Sequence, residues 1–182
     1  MRKLHRALDS PHFVARFDVR SYYESIDHGV LLAQLRAASV QPADLALCAQ
    51  CIALTRTGSE RCGIMAGSGL SPLFGALYLA PLDRAMGARV QAGSLVHYVR
   101  YMDDFVLVAR SRCQLRRAIA QLHAVLRRLR LQLHGPAPTG AKRFIGRAST
   151  GFDFLGYQLH PGRKLRPSRE SWRRLRERAR RL

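Results

Sequence analysis

Two adjacent aspartates, Asp103 and Asp104, stand between the short runs Tyr98-Val99-Arg100-Tyr101 and Phe105-Val106-Leu107-Val108. Aromatic and β-branched residues favour extended backbone, so the spacing predicts strand, tight turn, strand, with both carboxylates at the tip. Neighbouring anions repel, and burying them unpaired costs on the order of several kcal/mol, which a bound cation offsets. An Asp-Asp pair also suits a solvated turn, because its side chains hydrogen-bond to nearby backbone. A third carboxylate, Asp18, ends the alternating run Phe13-Val14-Ala15-Arg16-Phe17, which reads as another strand. If these strands are neighbours in one sheet, Asp18, Asp103 and Asp104 gather at one end, where hard oxygen donors suit one or two Mg²⁺ ions. Adjacent residues at a strand turn point different ways, so Asp103 and Asp104 need not both bind a cation.

The chain around these residues has 182 residues and a formal charge of +19. That length allows one domain with a real core, or one domain with an appendage. The charge is unevenly placed: residues 1–110 carry 12 Lys and Arg against 9 Asp and Glu, and residues 111–182 carry 19 against 3. Solvated surfaces usually mix signs, so the asymmetry points to a polyanionic partner, with nucleic acid ahead of an acidic membrane. No run of 18 uncharged apolar residues is present and no apolar signal core follows the basic N-terminus, so a simple membrane span and a secreted destination lack support. Cys48, Cys51, Cys62 and Cys113 do not form a disulfide framework in a chain of this size. The Cys48/Cys51 pair has the spacing of a metal or redox motif but lacks matching partners, and it reads as two small buried side chains of one helix.

The positioning elements follow from the pattern. Asp27 is placed to cap a helix over about 28–36, and Pro42 opens another to about 54. Gly63 to Gly69 is glycine-rich, so its backbone can approach a ligand closely. Ser71 reads as the cap and Pro72 as the first turn of a helix over 72–87, relaxed near Pro81. Leu115, Ile119, Leu122, Leu126 and Leu129 form one apolar stripe of a helix over 112–130. Residues 152–159 read as strand or hairpin, and Ser168 as the cap of a strongly basic last helix with Trp172 and Leu175.

Taken together, Phe17-Asp18-Val19-Arg20-Ser21-Tyr22-Tyr23, the glycine-rich loop with Ser71-Pro72 and the helix after it, Tyr101-Met102-Asp103-Asp104, Lys142, and Phe154-Leu155-Gly156-Tyr157 occur in the order of the reverse-transcriptase palm motifs. The chain resembles the palm of reverse transcriptases, in particular the bacterial group II intron-like branch, over roughly residues 13–160. The resemblance implies an α/β (α+β) two-layer palm: an antiparallel sheet with helices on one face and a ferredoxin-like core. It implies a basic segment over 1–12, the palm over 13–160 with fingers incomplete or absent, and over 161–182 a linker and the start of a basic thumb-like helix. Asp18, Asp103 and Asp104 would be the catalytic carboxylates, with Asp18 and Asp103 the main metal ligands, Asp104 assisting and Val19 lending its backbone carbonyl. Tyr23 would be the aromatic gate beneath the incoming sugar. Gly67, Ser71 and Pro72 would shape the nucleotide pocket, and Lys142 matches the lysine of the next motif. The chain departs from the family at Met65 and Ala66, where many relatives have Pro-Gln.

The function implied is RNA-directed DNA polymerisation: transfer of dNMP from dNTP to a primer 3′-hydroxyl with two Mg²⁺, for which Mn²⁺ could substitute, on an RNA template with a DNA or RNA primer. Fingers and thumb could come from a separate polypeptide, and a cytoplasmic location is expected. A non-catalytic RNA- or DNA-binding palm, or a degenerate reverse transcriptase, is the alternative. A metal-dependent nuclease also follows from clustered carboxylates, but it has no need of the nucleotide loop and the primer-like hairpin.

Overall fold

A computed structural model describes residues 4, 8, 12–38, 41–54, 61–135 and 143–181. Lys142 lies outside these residues, as do residues 55–60, between the predicted helix ending near 54 and the glycine-rich loop. The elements run β1 (Phe13–Asp18), α1 (Tyr22–Ser25), α2 (His28–Ala37), α3 (Pro42–Ala53), α4 (Ser71–Tyr78), α5 (Ala80–Gln91), β2 (His97–Tyr101), β3 (Asp104–Ala109) and α6 (Arg112–Arg128). They continue through β4 (Phe144–Arg147), a 3₁₀ turn, β5 (Phe152–Phe154), β6 (Tyr157–Leu159), β7 (Arg166–Pro167) and α7 (Arg169–Ala179).

The main sheet has the order β2-β3-β1-β4, and β1 pairs antiparallel with both β3 and β4. With helices between β1 and β2 and between β3 and β4, this is the ferredoxin-like arrangement. Strand periodicity assigns the two faces. Ala15, Phe17 and Val19 of the β1 run, with Phe105, Leu107 and Ala109 of β3, join the core under α2, α4, α5 and α6. Val14, Val106 and Val108 point the other way into a second, smaller core. The continuous apolar run of β3 is explained by this burial on both faces.

The expectation of helices on one face therefore holds, and the opposite face carries a further layer. β5, β6 and β7 form a separate three-stranded sheet whose Phe152, Phe154 and Leu159 complete the smaller core. Leu4 and Leu8 are also buried there.

Helix boundaries follow local chemistry. Asp27 accepts the Val30 N–H at 2.9 Å, as a capping Asp should. Ser111 and Gln114 form a reciprocal capping box for α6. Ser71 departs from its expected role: α4 starts at Ser71 itself, and its hydroxyl donates to the Met65 carbonyl instead of capping the helix. The predicted helix over 72–87, relaxed near Pro81, is two, broken at Leu79, so that Pro81 falls in the first turn of α5, where its missing N–H costs nothing. Cys48, Cys51 and Cys62 are free and half-buried.

Asp27 also pairs with Arg130 at 2.6 Å, tying α2 to the end of α6. Burial works to raise its pKa, but the Val30 N–H and the Arg130 guanidinium outweigh it and hold the carboxyl below the ordinary Asp value. A depressed folded-state pKa adds stability above the unfolded-state value of about 3.9, lost as pH falls through the folded-state value. Asp27→Ala is expected to cost about 1–2 kcal/mol in urea unfolding at neutral pH, with the gap to wild type narrowing as pH falls below the unfolded-state value. A gap that stays constant with pH would show that the carboxylate charge contributes nothing.

Candidate functional site

The antiparallel register of β1 and β3 places Asp18 directly across from Asp104. The ladder continues one step further, with the Val19 N–H donating to the Asp103 carbonyl at 3.2 Å. The backbones of Asp18, Asp103 and Asp104 thus lie at one end of the sheet, two on paired strand residues and Asp103 in the turn beside them. The two-residue turn between β2 and β3 consists of Met102 and Asp103, and Met102 takes φ 54°. Tight two-residue hairpin connections require such left-handed backbone, which is costly for a side chain like methionine.

Alternation puts Arg16 on the same face as Asp18, and its guanidinium reaches Asp104 across the strands. Nη2 donates to Oδ1 at 3.0 Å and to Oδ2 at 3.3 Å, and Nε donates to Oδ1 at 3.3 Å. Its remaining nitrogen, Nη1, donates to the Asp153 carbonyl of β5 at 2.7 Å. Asp18 is flanked on its other side by His134, whose Nε2 lies 3.3 Å from Oδ1 and whose backbone N–H donates to the Asp18 carbonyl at 3.0 Å.

The hairpin is braced from the helical side. Arg100 donates from Nε to Asp83 of α5 at 2.8 Å, makes a second contact to the same carboxylate, and donates from Nη1 to the Met102 carbonyl at 3.0 Å. Its pKa is raised chiefly by the Asp83 hydrogen bond. Tyr98 donates to Asp83 at 2.7 Å. Burial pushes the Tyr22 hydroxyl well above the usual phenol range, Arg100 opposes this, and the nearby charge of Asp103 adds to it. Tyr22 therefore stays a hydrogen-bond donor, and it donates to the Gly75 carbonyl at 2.5 Å.

The expected nucleotide-binding residues sit on a neighbouring unit joined through α1. Tyr23 is half-buried, with its ring 5.6 Å from that of Tyr22, and its carbonyl accepts the Ile64 N–H at 2.9 Å. Ser71 is buried and bonds Ser68 at 2.7 Å, drawing the 65–71 loop tight. Gly67 has φ +89° with open space around it, and Pro72 is exposed in the first turn of α4. The structure thus unites Asp18, Val19, Asp103 and Asp104, and sets Gly67, Ser71 and Pro72 on an adjacent loop and helix.

The donor set is of the hard-oxygen kind that Mg²⁺ takes. Yet Asp104 is held by Arg16 and Asp18 faces His134, and among the described residues no three Asp, Glu, His or Cys side chains come together as a cation site. No preformed two-ion site is therefore seen among the described residues. Arg16, Arg100, Asp83 and His134 were missed as site residues. Arg16 carried a signal, since a residue two before Asp18 in a strand must share its face; the other three depend on tertiary contacts.

Residues 1–159 match the family described as reverse transcriptase (RNA-dependent DNA polymerase). The chain belongs to this family. None of the curated proteins matches the chain by sequence. Among solved structures, apo telomerase from Candida tropicalis is similar with a TM-score of 0.70 and 12% identity, over 92% of this chain and 35% of that one. Telomerase from Candida albicans, in complex with a TWJ fragment of telomeric RNA, is similar with a TM-score of 0.69 and 14% identity, over 92% and 33%. At these identities the likeness shows the fold. The reverse transcriptase-family chain spans about a third of the length of these telomerases.

Gly75 is where the two units of the site press together: a Cβ there would lie 3.2 Å from ring carbons of both Tyr22 and Tyr23. Tyr22 is buried and bonded to the Gly75 carbonyl, so it has little room to yield. Gly75→Ala is expected to destabilise the chain by about 1–2 kcal/mol in chemical unfolding. It should also change the near-ultraviolet circular dichroism of the tyrosines; unchanged stability and spectrum would show that the packing is loose.

Proposed function

We propose that this chain binds nucleic acid as a reverse-transcriptase palm, engaging a primer and its RNA template across the carboxylate end of the sheet. The observation that carries this reading is the cationic second part of the chain, which ends in α7, a helix without a buried residue. Trp172 and Leu175 are exposed beside Arg173, Arg176 and Arg180. Arginines meet phosphates and supply affinity without sequence readout, and an exposed indole can stack on a base. No helix among the described residues is long and apolar enough to cross a membrane.

A second reading, RNA-directed DNA polymerisation, is favoured by one observation: three carboxylates from two distant motifs lie at one end of the sheet. Divalent ions, Mg²⁺ or Mn²⁺, would supply Lewis-acid stabilisation of charge on a primer hydroxyl and a transferring phosphoryl group. On this reading Asp18 and Asp103, with Asp104 assisting and the Val19 carbonyl contributing, would hold the ions, Tyr23 sits beneath the sugar of a dNTP, and Gly67, Ser71 and Pro72 shape the pocket around it. Lys142 would meet the phosphates. A group II intron-like origin, a separate fingers or thumb polypeptide and a cytoplasmic location belong to the same reading. The binding reading is preferred because Arg16 holds Asp104.

Fluorescence anisotropy with a primed RNA template separates the two. Binding is expected to weaken linearly on a log–log scale between about 50 and 200 mM salt, and Arg176→Ala and Arg180→Ala should each lower the slope by about one, whatever the sequence. Salt-independent binding, or none, would reject the proposal. Extension of the primer by dNTP and Mg²⁺, with or without an added fingers polypeptide, and its loss in Asp103→Asn, would establish the second reading instead.

A further inference from the structure

Arg16 carries an unusual set of contacts for a surface-poor, cationic strand residue. Only 8% of it is exposed, yet its guanidinium is fully engaged: two nitrogens on the Asp104 carboxylate and the third on the Asp153 carbonyl, with the plane 6.0 Å from the Phe154 ring centre. Asp104 and Asp153 belong to different sheets, so this side chain bridges them. The connection extends outward. The Gly156 carbonyl, at the turn between β5 and β6, accepts the Ser168 N–H and the Ser171 hydroxyl, both at 2.8 Å, at the start of α7. Polar contacts at its two ends therefore tie the small hairpin to the carboxylate end of the main sheet, through Arg16, and to the start of the basic terminal helix.

We propose that Arg16 is a positioning residue that serves as a built-in counter-ion. It neutralises Asp104, so that this carboxylate does not draw a cation of its own, and it uses Asp104 to anchor the β5–β6 hairpin against the main sheet. Any divalent cation is then left to Asp18 and Asp103. Arginine suits this use because its charge is permanent and its planar fork can satisfy a carboxylate and a carbonyl at once, which an ammonium cannot. A buried charge pair of this kind contributes little net stability but is costly to break on one side, because the remaining charge is left unpaired. That cost makes occupancy of Asp104 and attachment of the hairpin mutually dependent. The hairpin anchor stands whatever the chain does with nucleic acid, whereas the counter-ion role rests on the carboxylate end being able to bind a cation.

The test uses the full chain, Mn²⁺ as the probe read by electron paramagnetic resonance, and hydrogen exchange over residues 152–159. In Arg16→Gln, Asp104 is released, and Mn²⁺ binding is expected to tighten by about tenfold or to gain a second, spin-coupled ion. General loosening of the fold would not produce that gain. Arg16→Gln with Asp104→Asn should lose the gain. Arg16→Lys keeps the charge but not the fork, and should speed exchange in the hairpin by at least about tenfold, the loss of one charge-assisted hydrogen bond. No gain of Mn²⁺ binding in Arg16→Gln overturns the counter-ion role, and unchanged hairpin exchange in Arg16→Lys overturns the anchor. Asp18→Asn separates these from the premise: if wild type binds no Mn²⁺, or Asp18→Asn binds as well as wild type, the cation reading of this end fails and with it the counter-ion role, while the exchange result still decides the anchor.

Discussion

The register between β1 and β3 is the constraint from which the rest follows. A strand has a side-chain period of two, so a slip by one residue would turn Arg16 and Asp18 into the helical core and Phe17 toward the smaller sheet. Both faces of these strands are buried over most of their length, which makes such a slip prohibitive. The positions of the acidic groups are thus fixed by the packing of apolar neighbours, and the charges themselves are passengers on a register set by Phe17, Phe105 and Leu107.

Once that register exists, each ionic group at the end of the sheet is dealt with by a specific partner. Asp104 faces Arg16, Asp18 faces His134, and Asp83 takes Arg100 and Tyr98. Braces on the two faces of the sheet differ in character. The helical side uses Arg100 to bind the turn backbone to α5, and the opposite side uses Arg16 to bind a strand carboxylate to another sheet. Clustered acids in a strongly basic chain can therefore be stabilised from within, and their proximity alone does not establish which cation they hold.

Much of the architecture was legible in the residues. The alternation of Phe13 to Asp18, the apolar run after Asp104, the stripe of Leu115 to Leu126 and the caps at Asp27 and Ser168 are local signals, and the folded elements follow them. Convergence of Asp18 with Asp103 and Asp104 was legible as a condition on neighbouring strands and through the family resemblance. What was not legible needed contacts between distant segments. Nothing near Ser71 announces that its hydroxyl turns back to Met65, and nothing in residues 152–159 says that they form a sheet of their own. Arg100 and Asp83 are 17 positions apart. Their pairing depends on how α5 crosses the hairpin, which no local pattern encodes.

The burial of Leu4 and Leu8 beneath the smaller sheet bears on how compact this fold can be made. These two leucines plug the face of the sheet opposite α2, α4, α5 and α6, alongside Val14, Phe152 and Leu159. A version trimmed to begin at the first strand would retain every acidic residue and every helix cap. It would nonetheless leave an oily socket open to solvent beneath the very hairpin that leads to the basic tail, inviting self-association at that spot.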